Sequence, residues 1–245
     1  MLDYNQINEF LSGLGITGES PVFLHSSFKP FREIGFTTSE VINLMLRKQK
    51  GKALMMPAFN WRAVGEETPF DVVNTPSIVG GLSESFRRYE GVVRTIHPTH
   101  SCSIELSAIN QFGNRHELSC SPCDLHSPFA TFADNEVRLV MMNCDIESLT
   151  YIHHLEETTY PEVYLNPKLF YTFIIDEGGI NHGIRQFKRH SREPRNFLKF
   201  KPTLVKQPSF KQFSCGRLFG WSINSKDLHY TIKKAFSFDI YATLR

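Results

Sequence analysis

The sequence predicts an α/β fold built on a mainly parallel core sheet. Short apolar runs alternate with stretches of helical periodicity over roughly the first 160 residues, as strands joined by helical crossovers do. Residues 3–14 have Ile7, Phe10, Leu11 and Leu14 at helical spacing. "SPVFLHSS" follows as a short buried strand ending in small polar residues. "TTSEVINLMLRKQKG" predicts a helix capped at Thr38 or Ser39 ahead of a glutamate and stopped at Gly51. "KALMMPAF" is a strand with a proline stop, and "SIVGGLSESFRRYEG" is a helix after a glycine pair. "HSCSIEL" alternates like a strand, and "EVRLVMMN" is a strand running into "LTYIHHLEETTY". The pattern then changes. "KLFYTFIIDEGGI" predicts a hairpin turning at Gly178 and Gly179, a basic stretch follows, and "KDLHYTIKKAFSFDIYATL" predicts a C-terminal helix. The organisation expected is one domain over residues 1–245, with 165–215 as an inserted basic subdomain.

A hydrophobic content of 41% with 21% charged residues is that of an ordinary globular chain. No apolar run approaches the ~20 residues of a membrane span, and the N-terminal stretch has no basic region of the kind that opens a signal peptide. Five cysteines, an odd number, fit a reducing compartment better than a disulfide framework. A cytoplasmic location is therefore expected, with neither membrane nor nucleic acid as partner. The net charge of +2 is unevenly spread: His182 to Lys211 carries nine Lys or Arg and one acid, Glu193, on an otherwise acidic body. Such a segment suggests an anionic ligand, or else a solvated loop face.

"LTYIHHLEETTY" (Leu149 to Tyr160) concentrates titratable chemistry behind an apolar strand. On a helix His153 and Glu156 share a face, as a general base and the carboxylate that orients it must. His154 and Glu157 form a second pair at the same spacing, and spacing alone does not choose between them. Most pairs of this kind are surface helix pairs. "HPTH" (His97, His100) could join His153 or His154 and a glutamate around a metal, but no HExxH is present. "CSPC" (Cys120 to Cys123) has no second CxxC to complete a zinc site. There is no phosphate-binding loop of the GxxxxGK type and no GxSxG elbow.

The segments "FLHSSFKPFREIG", "LMMPAFNW", "PFDVVNTPSIVGGLSESFRR", "VVRTIHPTHS", "SPCDLHSPFATF" and "ESLTYIHHLEE" stand in that order over residues 20 to about 160. The ordered set resembles the aminoglycoside 3-N-acetyltransferase family, also called antibiotic N-acetyltransferases. The closing "CGRLFGWSINSKDLHYTIKKAF" resembles that family more loosely. The resemblance implies a three-layer α/β/α fold, acetyl-CoA as co-substrate, an amino sugar as acceptor and no metal. It places the family's Leu-His-x-x-Glu motif on Ile152, His153 and Glu156, with His153 as general base, Glu156 as its partner and Thr150 as the hydroxyl three residues earlier. The donor-binding stretch falls on His25, Ser26, Ser27 and Lys29. Arg94, Thr95, His97, Pro98 and Ser101, with the turn at Val79 and Gly80, match the wall along coenzyme A.

Three positions depart from the family's glycines: Asn143, His126 and Leu106. They put the acceptor in doubt more than the reaction, as does the basic segment, because pockets for polycationic aminoglycosides are expected to be acidic. Three functions follow. The first is acetyl transfer from acetyl-CoA to an aminoglycoside-like amine, the antibiotic-resistance form of the chemistry. The second is the same transfer to a biosynthetic, nucleotide-linked amino sugar for surface polysaccharide. The third is a non-catalytic coenzyme A-binding protein. A homodimer is among the expected assemblies.

Overall fold

The computed structural model describes residues 2–62, 64–65, 67–113 and 115–245. Its helices and strands, in chain order, are α1 (Tyr4–Gly13), β1 (Val22–Ser26), α2 (Lys29–Glu33), α3 (Thr38–Lys48), β2 (Leu54–Pro57), β3 (Phe70–Asp71) and α4 (Gly81–Arg87). Then come β4 (Val92–Arg94), β5 (Cys102–Glu105), α5 (Ile109–Phe112), β6 (Arg138–Met142), α6 (Tyr151–Thr159) and α7 (Pro161–Tyr164). The chain closes with β7 (Phe170–Ile175), β8 (Asn181–Phe187), α8 (Lys201–Leu204), β9 (Lys211–Cys215), β10 (Leu218–Asn224) and α9 (Ser225–Phe236).

Seven strands form one sheet in the order β4-β5-β2-β1-β6-β10-β9. Its parallel pairs are β1 with β2 and β1 with β6, whereas β5, β4, β10 and β9 join antiparallel on the flanks. Strands that are buried on both faces read as continuous apolar runs, and the central three do. Side chains alternate across the sheet: Phe23, Met55, Leu139 and Met141 enter one core, and Val22, Leu24, Leu54, Met56, Val140 and Met142 the other. The first core is closed by α6 and α9, through Ile152, Leu155, Leu228, Ile232 and Phe236. The second is closed by α1 and α3, through Ile7, Phe10, Leu11, Val41 and Met45. That is the three-layer arrangement. A smaller sheet, β3-β7-β8, stands apart and turns through residues 176–179, where the Asp176 side chain accepts from the N–H groups of Gly178 and Ile180.

Two local expectations are corrected. The cap of α3 is Thr37, not Thr38 or Ser39: only Thr37 stands three residues before Glu40, so only it can exchange the reciprocal capping bonds. The last helix stops at Phe236 rather than continuing through "SFDIYATL". The chain beyond it returns to the body, where Arg195 and Leu244 form a β-bridge.

Asn143, one of the departures from family glycine, has φ of +57°. This left-handed conformation follows directly on β6, where the chain must turn out of the sheet. After glycine, asparagine is among the residues that adopt it most readily. Its side chain is also used: Nδ2 donates to the Ser27 carbonyl at 3.2 Å, and Oδ1 accepts from the Phe219 N–H at 3.0 Å. It thereby ties the end of β1 to β10. Asn143→Ala is expected to cost roughly 2–3 kcal/mol, from a strained backbone plus two lost bonds. Asn143→Gly keeps the turn and should cost about 1 kcal/mol. Chemical denaturation of both variants checks the order; an alanine variant as stable as the glycine one would contradict it.

Candidate active site

The parallel strands β1, β2 and β6 all end at one edge of the sheet, the usual place for a ligand in such folds. A cavity of about 750 Å³ opens there, walled by His25 and Ser26 from the end of β1, Phe59 and Trp61 after β2, and Thr150 and His153 from the start of α6. His153 lies in this wall, with its Nδ1 2.8 Å from Oε2 of Glu156 one helical turn on. The buried carboxylate selects the tautomer in which Nδ1 carries the proton, leaving Nε2 as the basic nitrogen.

Glu156 is fully buried, and three segments supply its donors. His153 and Arg195 (Nη2, 3.4 Å) reach Oε2, and the Thr243 hydroxyl reaches Oε1 at 2.5 Å. Burial pushes its pKa up, but the His153 charge and hydrogen bond, with Arg195 and Thr243, outweigh that and hold it down to about 2. The carboxylate is therefore ionised across the physiological range. The alternative pair is not made. His154 Nδ1 donates to the Cys123 carbonyl at 2.7 Å and its ring stacks on Tyr151, whereas Glu157 bonds to His190, Ser121 and the Cys123 N–H.

At the other wall, the Thr150 N–H donates to His25 Nε2 at 3.4 Å. Burial, then the neighbouring His153 charge, pushes the His25 pKa down to about 3, so this imidazole is a neutral acceptor that fixes the start of α6. The Ser26 hydroxyl is buried beside the cavity and has no partner among the described residues. Val79 lines the cavity too, and Gly80 stands where a side chain would be strained: φ is +129°, and an added Cβ would lie a tight 3.3 Å from the Ser26 carbonyl.

The other residues matched to the donor wall lie elsewhere. Arg94 is buried and spends its guanidinium on Ser101 and on the carbonyls of Val72, Thr75 and Ala58. Thr95 accepts from the Cys102 N–H, and His97 Nδ1 accepts from the N–H groups of Thr99 and His100. These groups hold the 95–101 turn, which presents Thr99 and His100 to the cavity in their place. Pro98 sits in that buried turn, and Ser27 donates its N–H to the Met142 carbonyl. Lys29 is exposed, with Glu33 3.9 Å away. Two of the departures, His126 and Leu106, are exposed and outside the cavity wall.

The basic stretch reads differently in three dimensions. Arg185 donates to the carbonyls of Glu117 and Ser119, Arg189 to those of Trp61 and Val64, Arg195 to those of Ser191 and Glu193, and Lys199 to that of Leu244. Lys201 pairs with Asp145. Much of the positive charge is thus committed to holding loops. Arg192 is exposed in the cavity wall, and Arg189 and Glu147 line it as well. Arg195, His190 and Thr243 escaped notice in the sequence, for they lie 39, 37 and 87 positions or so from the α6 residues they serve and carry no local signature.

Among the described residues, one group of three metal-capable side chains lies together: Cys123, Glu157 and His190, with ligand atoms within 4.8 Å. It is not the histidine set that "HPTH" suggested. His190 and Glu157 already bond to each other, and burial raises the Cys123 thiol pKa well above its ordinary value.

The fold is shared with solved structures. Aminoglycoside acetyltransferase AAC(3)-IVa, as the apoenzyme, superposes with a TM-score of 0.81 at 19% identity, covering 98% of this chain and 90% of that one. The YokD protein from Bacillus subtilis gives 0.78 at 20% identity, covering 95% and 97%. AAC-IIIb, binary with CoASH, gives 0.79 at 15% identity, covering 95% of each chain. No curated protein sequence matches the chain. The family model described as aminoglycoside 3-N-acetyltransferase matches residues 23–237, most of the chain. With that match, and a histidine–glutamate pair facing a cavity at the end of the parallel strands, the chain belongs to the aminoglycoside 3-N-acetyltransferase family and is an acetyl-CoA-dependent N-acetyltransferase.

Proposed function

We propose that the cavity brings the thioester of acetyl-CoA and an amino group of an aminoglycoside-type acceptor together in front of His153. The observation that carries this reading is the His153–Glu156 pair, one nitrogen held by an ionised carboxylate and the ring set in the cavity wall. The unpartnered Ser26 hydroxyl and the close approach at Gly80 support a donor lying along the end of β1. AAC-IIIb with CoASH and AAC(3)-IVa with a gentamicin or apramycin support both ligands by likeness of fold.

In this reading the amine nitrogen attacks the thioester carbonyl, and its proton passes to His153 Nε2 as the C–N bond forms. The carbonyl electron pair becomes an oxyanion held by the Thr150 hydroxyl or a backbone N–H. The oxyanion collapses, the C–S bond breaks, and the thiolate takes the proton from His153. Glu156 stabilises the imidazolium that exists only between those steps, which raises turnover rather than binding. A second reading has one observation in its favour. Glu147 is the one acid among the described lining residues, against Arg189 and Arg192. That balance suits an amino sugar bearing a phosphate or nucleotide better than a polycation.

Thiol release from acetyl-CoA, measured over gentamicin, apramycin and a UDP-linked amino sugar, separates these readings. Turnover of the first two supports the aminoglycoside; turnover of the last alone moves the assignment to the second reading. With the active acceptor, His153→Ala should lower kcat by ~10²–10⁴-fold while acetyl-CoA binding persists. Turnover that survives the change would remove His153 from the chemistry.

Stability carries a matching signature. Glu156 is held at about 2, below its ordinary 4.5. Its contribution to stability is therefore complete above pH 4.5 and is lost as pH falls through the folded value. Glu156→Gln should lower the melting temperature at neutral pH and flatten its decline in acid. An unchanged acid limb would show that the pair contributes nothing to folding.

A further inference from the structure

We propose that His190 and Glu157 form a second proton acceptor, which converts the acceptor's ammonium group to the free amine before His153 acts. The inference rests on the acetyl-transfer reading above. His190 Nε2 is 2.6 Å from Oε1 of Glu157, and the His190 ring stacks on His153 with centroids 4.4 Å apart. His190 lines the same cavity, and no described residue bonds its Nδ1. It is the second cavity-lining imidazole backed by a buried carboxylate.

The position is built rather than incidental. Backbone bonds from Lys188 to Cys120, from Asn166 to Arg189 and from Ser191 to Tyr164 hold the segment against two loops. Glu157 also accepts from the Ser121 hydroxyl at 2.5 Å and from the Cys123 N–H at 3.0 Å. The titratable groups facing His190 are His153, Glu156 and Glu157 of α6, His100 from the 95–101 turn, Arg195, and the buried Cys123 thiol.

Proton balance gives such an acceptor a task. An amine near neutral pH is largely an ammonium ion without a lone pair, and the net reaction is R–NH₃⁺ + acetyl-S-CoA → R–NH-acetyl + CoA-SH + H⁺. Two protons leave nitrogen: one ends on sulfur through His153, and the other must reach solvent. His190 Nδ1 takes the latter from the ammonium while its Nε2 proton passes to Glu157. The pair finishes as neutral imidazole and neutral carboxyl, so no cation forms beside His153, where it would oppose the second transfer. Burial agrees with this placement of the proton. It holds the His190 pKa well below the ordinary value, aided by the His153 charge, and pushes Glu157 up to about 7. The proton then returns through Nδ1 to water in the cavity.

Two measurements test this. In the ligand-free protein, infrared titration should show a buried protonated carboxyl that ionises near neutral pH and is missing from Glu157→Gln. Absence of that band in the wild type overturns the proposal whatever the acceptor is. The pH profile of kcat/KM is then compared, with gentamicin and a UDP-linked amino sugar as amine probes. In His190→Gln, which keeps an N–H for Glu157, and in Glu157→Gln, the acid limb should move up to the amine's own pKa. The loss should be about tenfold or more at pH 7, modest for a positioned proton acceptor, and should shrink as pH rises past that pKa. An equal loss at every pH marks a structural pair and overturns the proposal. Activity abolished by chelation and restored by zinc would do so too, making Cys123, Glu157 and His190 a metal site. A wild type silent on both amines fails earlier, at acetyl transfer itself.

Discussion

Glu156 is a buried charge, and the arrangement of the cavity follows from satisfying it. An unpaired carboxylate in the interior would cost several kcal/mol, so donors must come from wherever the chain can bring them. They come from α6 itself through His153, from the 190s loop through Arg195, and from the C-terminal tail through Thr243. The tail's return past the end of α9, bridged to Arg195, and the loop's bond to Tyr164 place those two donors. One ionised group therefore couples the position of His153 to two distant segments.

The sheet supplies the other half. With β1, β2 and β6 parallel and ending together, the turns that follow them converge on a single edge. Asn143 in its left-handed turn, and Thr150 bonded to His25, aim α6 so that His153 reaches the space between those turns. Four histidines crowd this edge, yet burial keeps His25, His100 and His190 from charging readily. Under the proposed mechanism, the neighbouring imidazoles thereby stay neutral while His153 takes its proton.

Much of this was legible in the sequence for a physical reason. A period of 3.6 residues reports which face a helix buries, and a short unbroken apolar run marks a strand buried on both faces, so α1, α3, β1, β2 and β6 could be placed from pattern. The His153–Glu156 pair could be read because its partners are one helical turn apart. Thr243, Arg195 and His190 could not, because nothing local records contacts across 87, 39 or 37 positions. Charge was only partly legible for the same reason. The run of Lys and Arg after His182 suggested an anionic ligand, but sequence does not show that Arg185, Arg189 and Lys199 would meet backbone carbonyls. Arg94 and His97 carried family motif positions, and folding turns them inward to hold a loop.

The central claim is that Glu156 holds His153 with Nδ1 protonated and Nε2 bare toward the cavity. Nitrogen NMR of the protein carrying labelled histidine, with His153 assigned by its loss in His153→Ala, reads that tautomer directly. A protonated Nδ1 and an unprotonated Nε2 near pH 8, shifting to a tautomer mixture in Glu156→Gln, is the predicted result. A proton found on Nε2 in the wild type would contradict the account, because the cavity-facing nitrogen would then have no lone pair to accept one.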